Sequence, residues 1–233
     1  KNHKKIAQEV ILTEIEGLKK LYRGIDNSFN KAVELILKTD GKIIFCGIGK
    51  SGIVANKAAK TFSSVGTPSV YIHASEFSHG DAGAIQKRDI MVIFSSSGET
   101  KELKDSIQFA NRWGIPLIGV ASKKNSLLLN ASDIKILLPF SKEAGIGSII
   151  PTTSTTMFMT LADALAIAVM NKKKFGLYDF KKLHPGGKIG KVLTYVEDLM
   201  IKDKKKIPFV DENKKVSESL KIMNKPNTMS FFI

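Results

Sequence analysis

The chain carries the segment Ile43-Ile44-Phe45-Cys46-Gly47-Ile48-Gly49-Lys50-Ser51-Gly52. Its apolar half, residues 43–46, predicts a buried strand, and residues 51–64 have apolar residues at helical spacing. A strand that passes through a glycine turn into a helix is typical of an α/β unit. The segment therefore predicts a parallel sheet with helices packed on its faces.

The same alternation of strand and helix continues toward the C-terminus. Apolar runs predict further strands at residues 69–72, 90–95, 116–121 and 134–138, and residues 101–113 form one of the helical stretches between them. The predicted fold is a three-layer α/β sandwich with a five-stranded parallel sheet, of the flavodoxin-like or Rossmann-like kind. Such sheets bind ligands beyond the carboxyl ends of their strands, so functional residues are expected directly after each strand.

Helices are predicted on both sides of this region. Two lie within residues 1–40, and a long apolar helix is expected to begin at Pro151 and to end near Met170. This helix is apolar enough that we expect it to be hidden on all sides. We divide the chain into N-terminal helices (1–40), an α/β domain (41–195) and a C-terminal segment (196–233) that is too short for a core of its own.

Composition excludes several classes of protein. Hydrophobic residues make up 43% and charged residues 25%, as in globular proteins. The net charge is +14, but the lysines do not cluster, so no nucleic-acid partner is expected. No apolar run reaches the length of about 18 residues that suggests a membrane span, and the first 20 residues lack a signal-peptide core. The single cysteine, Cys46, lies in an apolar run, which fits the expected cytoplasmic location.

The three glycines Gly47, Gly49 and Gly52 match the spacing of a dinucleotide-binding fold. That fold also needs an acidic residue after the second strand, where this chain has His73. A P-loop that ends at Lys50 would need glycine at position 44, which is Ile44. What remains is a tight turn that presents Lys50 at the mouth of the sheet.

A second loop, Ser95-Ser96-Ser97-Gly98-Glu99-Thr100, follows the third strand and leads into a helix. Hydroxyl groups and free backbone amides at the start of a helix are suited to an anion, above all a phosphate. The alternative is that the hydroxyls only cap the helix. Three successive serines exceed what one cap needs, so phosphate binding is favoured.

Six motifs in this order resemble those of the arabinose 5-phosphate isomerases, in which a sugar isomerase (SIS) domain precedes two CBS repeats. The motifs lie at residues 47–52, 76–81, 95–100, 142–144, 151–156 and 184–187. The resemblance covers residues 41–193, and Asp198-Leu199-Met200 resembles the opening of a first CBS repeat. It implies an α/β enzyme that interconverts D-arabinose 5-phosphate and D-ribulose 5-phosphate through an enediol for 3-deoxy-D-manno-octulosonate biosynthesis. It also implies a homotetramer with sites shared between subunits.

The resemblance implies a set of site residues. The catalytic residues would be Lys50, His79, Glu102, Glu143 and His184. The substrate-binding residues would be Gly49, Ser51, Ser95, Ser96, Ser97, Thr100, Thr152 and Ser154. No cofactor is expected because the reaction only moves a proton between adjacent carbons. No metal is expected either; His79 is a weak candidate ligand, and His73 is interpreted as a core histidine.

Alternatives remain at this stage. Taken singly, Glu102 could complement a helix dipole, Glu143 could be a surface charge and His184 a turn residue. The whole chain could be a sugar-phosphate sensor that does not convert its ligand, because SIS domains also occur in transcriptional regulators. It could also be an SIS isomerase that acts on another sugar phosphate.

Overall fold

The computed structural model describes residues 2–184, Met200 and residues 209–223. The chain divides into two compact units, Lys1–His184 and Pro185–Ile233. In the second unit the described residues include the helix Val216–Met223. Two features from the sequence lie outside the described residues. They are the rest of the motif that begins at His184, at residues 185–187, and residues 198 and 199 of the CBS-like opening.

The first unit is built on one parallel sheet with strand order β2-β1-β3-β4-β5. The strands are β1 (Ile43–Gly47), β2 (Ser69–His73), β3 (Ile90–Phe94), β4 (Leu117–Ala121) and β5 (Ile134–Leu137). The predicted five-stranded parallel sheet is confirmed, with each strand end within one residue of its predicted position. This order is the flavodoxin-like one, whose ligand site lies where the order reverses, at β1 and β3.

Eight α-helices surround the sheet in the described part of this unit. They are α1 (His3–Gly24), α2 (Asn27–Lys38), α3 (Gly49–Ser64), α4 (Ala74–Phe77), α5 (Lys104–Trp113), α6 (Leu127–Ala131), α7 (Thr153–Lys172) and α8 (Leu177–Leu183). The helix predicted at residues 101–113 begins with a 3₁₀ turn at Lys101–Leu103. The predicted start of α7 was two residues too early: Pro151 precedes the N-cap residue Thr152.

Alternate residues of the strands pack into two cores, one on each face of the sheet. On one face Phe45 lies 5.3 Å from Phe62 of α3, and Phe94 stacks at 5.1 Å on Phe158 of α7, between ring centroids. The helices of this face are α1, α2, α3 and α7, whereas α4, α5 and α6 cover the other. Cys46 is fully buried on the second face, and burial raises the pKa of its thiol to about 11.

Helix α7 is long and apolar enough to cross a membrane by length and composition, alone among the helices of the described residues. It packs against α1, α2 and α3, and Phe158 and Leu165 on its inner side are buried, as in a core helix. Its outer side is partly exposed, since Met159 is 38% exposed and Ile167 is 46% exposed. Residues 2–184 therefore do not hide α7 on all sides, because α1 and α2 cover only part of it.

Candidate functional site

A cleft of about 400 Å³ opens beyond the carboxyl ends of β1 and β3. We call it the serine cleft; it is lined by Ile48, Lys50, Ser51, Phe94, Ser95, Ser96, Ser97, Thr100, Glu143, Pro151 and Ser154. Residues from four of the six sequence motifs meet here: the glycine turn (residues 47–52), the serine loop (residues 95–100), residues 142–144 and the start of α7 (residues 151–156). The first two follow neighbouring parallel strands, whose carboxyl ends share one edge of the sheet. Its volume falls within the range of about 300 to 1,000 Å³ that is usual for small-molecule sites.

The glycine turn brings β1 and α3 close together. A side chain on Gly52 would meet the hydroxyl of Tyr71 at 2.5 Å and the carbonyl oxygen of Gly47 at 2.9 Å. Gly49 has a φ of +57°, which favours glycine. The turn places Lys50 in the first turn of α3, where it has no ion-pair partner among the described residues. Its ammonium group is therefore available to an anionic ligand.

The serine loop is held by its own hydroxyl groups. The buried Oγ of Ser95 accepts a hydrogen bond from the backbone N–H of Gly98 at 3.0 Å and lies 3.0 Å from Oγ1 of Thr100. The Oγ of Ser97 accepts one from the N–H of Glu99 at 3.2 Å. Ser95 thus shapes the loop, whereas Ser96 and Ser97 are exposed at the cleft.

Glu143 is a half-buried carboxylate at the start of α7. Its Oε2 accepts hydrogen bonds from the backbone N–H groups of Thr152 at 2.9 Å and Ser154 at 3.1 Å, and from the Thr152 hydroxyl at 3.3 Å. Burial alone would raise the pKa of Glu143, but the hydrogen bonds from Ser154 and Thr152 outweigh it and hold the pKa below its ordinary value of 4.5. Glu143 is therefore ionised at neutral pH. Glu143 is therefore not a plain surface charge, which was the alternative that the sequence left open.

Three of the five residues in the expected catalytic set do not line the serine cleft of this chain. Glu102 is exposed in the 3₁₀ turn after Thr100, and His79 is exposed in the loop after α4. His184 follows α8; its ring stacks on Phe180 with centroids 3.8 Å apart, and its Nδ1 lies 2.8 Å from the Phe180 carbonyl oxygen. Within the described residues, no group of three or more His, Cys, Asp or Glu side chains is arranged to hold a metal ion.

A second cleft of about 470 Å³ lies beside Lys50. We call it the histidine cleft; it is lined by Gly49, Lys50, Gly52, Ile53, Asn56, Tyr71 and His73. His73 is half-buried at the end of β2, which differs from its interpretation as a core histidine. His73 directly follows the predicted strand at residues 69–72, which is where functional residues were expected.

Residues 36–168 match the family model of the SIS domain, so the chain belongs to the SIS domain family. Within it the chain belongs to the arabinose 5-phosphate isomerases. It is 37% identical to arabinose 5-phosphate isomerase KdsD of Francisella tularensis subsp. tularensis, over 94% of this chain and 68% of that one. It is 35% identical to the probable arabinose 5-phosphate isomerase of Haemophilus influenzae, over 96% of this chain and 66% of that one. The chain thus spans about two thirds of the length of these curated relatives.

A solved structure has the same fold. The protein c3406 of E. coli CFT073, in complex with arabinose 5-phosphate, superimposes with a TM-score of 0.73 at 33% identity, covering 79% of this chain and all of that one. The three-layer sandwich is therefore that of the phosphosugar isomerases.

Proposed function

We propose that this protein interconverts D-arabinose 5-phosphate and D-ribulose 5-phosphate. The observation that carries the proposal is the serine cleft, which combines a loop rich in hydroxyl groups, the ammonium group of Lys50, unpaired among the described residues, and the ionised carboxylate of Glu143. The names of the relatives and the sugar-phosphate complex of the similar structure support the choice of substrate. On this proposal the reaction serves 3-deoxy-D-manno-octulosonate biosynthesis in the cytoplasm.

The phosphate group binds at the serine loop. Ser96 and Ser97 are exposed and line the cleft, and Thr100 is the N-cap residue of the 3₁₀ turn that leads into α5. Ser95 supports the site by fixing the curvature of the loop through its bond with Gly98. Hydrogen bonds from neutral donors to a charged phosphate are stronger than those to neutral groups, which makes the loop an anchor.

Glu143 transfers the proton. It removes a proton from C2 of the open-chain aldose, the carbonyl oxygen at C1 is protonated, and an enediol forms. A proton is then returned to C1 while the hydroxyl at C2 becomes the new carbonyl group. Lys50 and His79 polarise substrate oxygens, and Glu102 and His184 serve acid/base steps that include ring opening. The electrons move only between the two carbons, so the step needs no external oxidant or reductant.

The complete site is shared between subunits of a homotetramer, and His184 is supplied by a neighbouring copy. Helix α8, which leads to His184, has no buried residue, and its Leu177 and Leu183 are 70% and 50% exposed. The side of α7 that carries Met159 and Ile167 is likewise partly exposed within residues 2–184. Apolar surface of this kind is suited to a second copy, which would bring His184 to a serine cleft that lacks it in one chain.

The decisive experiment is to incubate the protein with a panel of pentose and hexose phosphates and to follow aldose–ketose conversion by NMR. We expect conversion of D-arabinose 5-phosphate without an added cofactor. Conversion of another sugar phosphate instead would change the substrate. Binding without turnover, in folded and assembled protein, would replace the isomerase with a sensor.

A further inference from the structure

Helix α1 contacts the segment that holds the proposed base at three positions on one side of the helix. Glu14, Gly17 and Lys20 are spaced three residues apart, so each is a neighbour of the next on the helix surface. The carboxylate of Glu14 accepts a hydrogen bond from the hydroxyl of Thr156 at 3.1 Å, and the ammonium group of Lys20 donates one to the carbonyl oxygen of Phe140 at 3.2 Å. These two partners flank the proposed base in the sequence, so α1 is bonded to the segment before and after it.

Gly17 lets α1 and α7 approach each other closely. It lies inside a 22-residue helix, where glycine is less favourable than alanine. A Cβ at this position would collide with the methyl group of Thr153, and it would lie 3.2 Å from Oγ of Ser141 and 3.3 Å from Sδ of Met157. The contact between the two helices therefore has no room for a further methyl group.

The position of Thr153 depends on this packing. Its side chain is fully buried, and its hydroxyl group has no hydrogen-bond partner among the residues that the structure describes. The side chain is therefore held by packing, with its methyl group against Gly17. Thr153 lies between Thr152 and Ser154, whose backbone N–H groups donate to Oε2 of Glu143 at 2.9 and 3.1 Å. A displacement of Thr153 would move the donors on both sides of it.

We propose that Gly17 is a positioning residue, whose contact with Thr153 sets the place of the two N–H groups that hold the carboxylate of Glu143. This inference rests on the proposed function, because it takes Glu143 as the base. Gly17 does not line the serine cleft, so it acts on the reaction through α7 alone. One methyl group too many or too few at the contact then displaces the base.

The surroundings of Glu143 give this contact an electrostatic readout. Lys50 of α3 lines the serine cleft with Glu143, and Lys142 and Glu9 of α1 line a neighbouring cleft that Glu143 also borders. Within the described part of the chain, none of these groups forms an ion pair with Glu143. Burial raises the pKa of Glu143, but hydrogen bonds from the start of α7 hold it below its ordinary value, so weaker hydrogen bonds would raise it.

Two substitutions move one methyl group across the contact. Gly17→Ala adds a methyl group, Thr153→Ser removes one, and the double variant restores the total, which makes a double-mutant cycle. Gly24→Ala is the matched control, because Gly24 is the last residue of α1 and its Cβ would make an ordinary contact at 3.8 Å with Pro139.

The experiment measures kcat, the pH dependence of kcat/KM, thermal unfolding and inhibition by inorganic phosphate for the full chain and these variants. We expect Gly17→Ala to lower kcat by about 10- to 100-fold and to move the acid limb of kcat/KM to higher pH, because the base is displaced and its donors are weakened. Thr153→Ser should move the acid limb in the same direction by less, and the double variant should return kcat and the acid limb toward the wild-type values. Inhibition by phosphate should stay the same in every variant, because the serine loop is untouched.

If Gly17→Ala fails to fold, Thr153→Ser and the double variant carry the test, because loss of one buried methyl group is a mild change. An acid limb that stays at the wild-type position in every folded variant, or a loss in Gly17→Ala that the double variant does not recover, would overturn the inference. If the wild-type protein binds the sugar phosphate without turnover, the proposed function fails. The pKa of the Glu143 carboxyl group, followed by ¹³C NMR in the same variants, then decides the role of Gly17.

Discussion

Oε2 of Glu143 accepts hydrogen bonds from both the backbone N–H group and the hydroxyl group of Thr152, at 2.9 and 3.3 Å. The carboxylate that we place at the proton transfer is therefore also the group that caps α7. Thr152 in turn accepts a hydrogen bond from the N–H of Ala144 at 2.8 Å, which closes the loop around the carboxylate. Because Glu143 has both roles, a loss of activity after its removal has to be interpreted together with a measurement of stability.

Ser97→Ala should weaken substrate binding more than it slows the chemical step. An anchor to the phosphate is present in both the ground state and the transition state, so its loss raises KM and leaves kcat nearly unchanged. A hydrogen bond to a charged group is worth about 1.5 to 3 kcal/mol, which corresponds to a rise in KM of about 10- to 150-fold. Steady-state kinetics measure this, together with inhibition by inorganic phosphate, which should weaken in parallel. Ser64→Ala, on α3 and outside the serine cleft, is the control; a fall in kcat alone would contradict the anchoring role of Ser97.

Gly98→Ala should cost more stability than Gly114→Ala, although both glycines have nearly the same backbone conformation. Their φ angles are +65° and +64°, in the left-handed region. An alanine held in this conformation lowers the free energy of unfolding by about 1 to 2 kcal/mol at either position. A Cβ on Gly98 would also collide with the side chain of Ser126, whereas nothing lies within 4 Å of one on Gly114. Urea unfolding should show a larger loss for Gly98→Ala, accompanied by weaker phosphate inhibition. Equal losses would mean that the packing around the serine loop is looser than the structure shows.

The strands could be predicted because β1, β3 and β4 are continuous buried apolar runs, as parallel strands inside a sandwich are. The start of α7 could not be predicted in the same way. Its capping group is the carboxylate of Glu143, which lies nine positions before Thr152 in the sequence, and a contact over that distance leaves no local sequence pattern. The meeting of Lys50, the serine loop and Glu143 was expected from the family resemblance, and the place of the first two from the rule that parallel sheets bind ligands beyond the carboxyl ends of their strands. His79, Glu102 and His184 do not line the serine cleft, so their catalytic roles stay a prediction.

Asp89→Ala should destabilise the protein strongly. Asp89 is buried and accepts hydrogen bonds from the backbone N–H and the ammonium group of Lys42 and from the N–H of Gln86, at 2.9, 2.7 and 2.8 Å. Removal of one partner from a buried ion pair costs about 3 to 5 kcal/mol. Denaturant unfolding measures this cost, and Glu16→Gln, in the exposed pair with Lys19, is the control that should change little.

Asp89 also predicts a dependence of stability on pH. Burial alone would raise the pKa of Asp89, but hydrogen bonds from Lys42 and Gln86 hold it below its ordinary value of 3.8. A carboxylate with a lowered folded pKa stabilises the protein fully above its unfolded value, and this stability is lost as the pH falls through the folded value. Below pH 3.8 the wild-type protein should therefore lose stability more steeply than Asp89→Asn. Parallel curves for the two proteins would contradict this role.

Mixed oligomers test whether His184 comes from a neighbouring chain. His184→Ala and Glu143→Ala should each be inactive, and subunit exchange should restore activity to about a quarter of the wild-type value, because that share of sites receives both groups by random assortment. Lys50→Ala mixed with Glu143→Ala is the control, since Lys50 and Glu143 line the same cleft of one chain and no mixed site regains both. Persistent inactivity of confirmed mixed oligomers of the first pair would place His184 in the site of its own chain.

The most direct test of the serine cleft as an isomerase site follows D-arabinose 5-phosphate by NMR in D₂O, with wild-type protein and with Glu143→Gln. Glu143→Gln keeps an oxygen that can accept from Thr152 and Ser154, so α7 should remain folded, but it cannot take up the proton. We predict that the wild-type protein forms D-ribulose 5-phosphate and incorporates deuterium at carbon, and that Glu143→Gln slows both by about 100-fold or more. Undiminished conversion and deuterium incorporation by folded Glu143→Gln, or no conversion by wild-type protein that binds the sugar phosphate, would contradict the account.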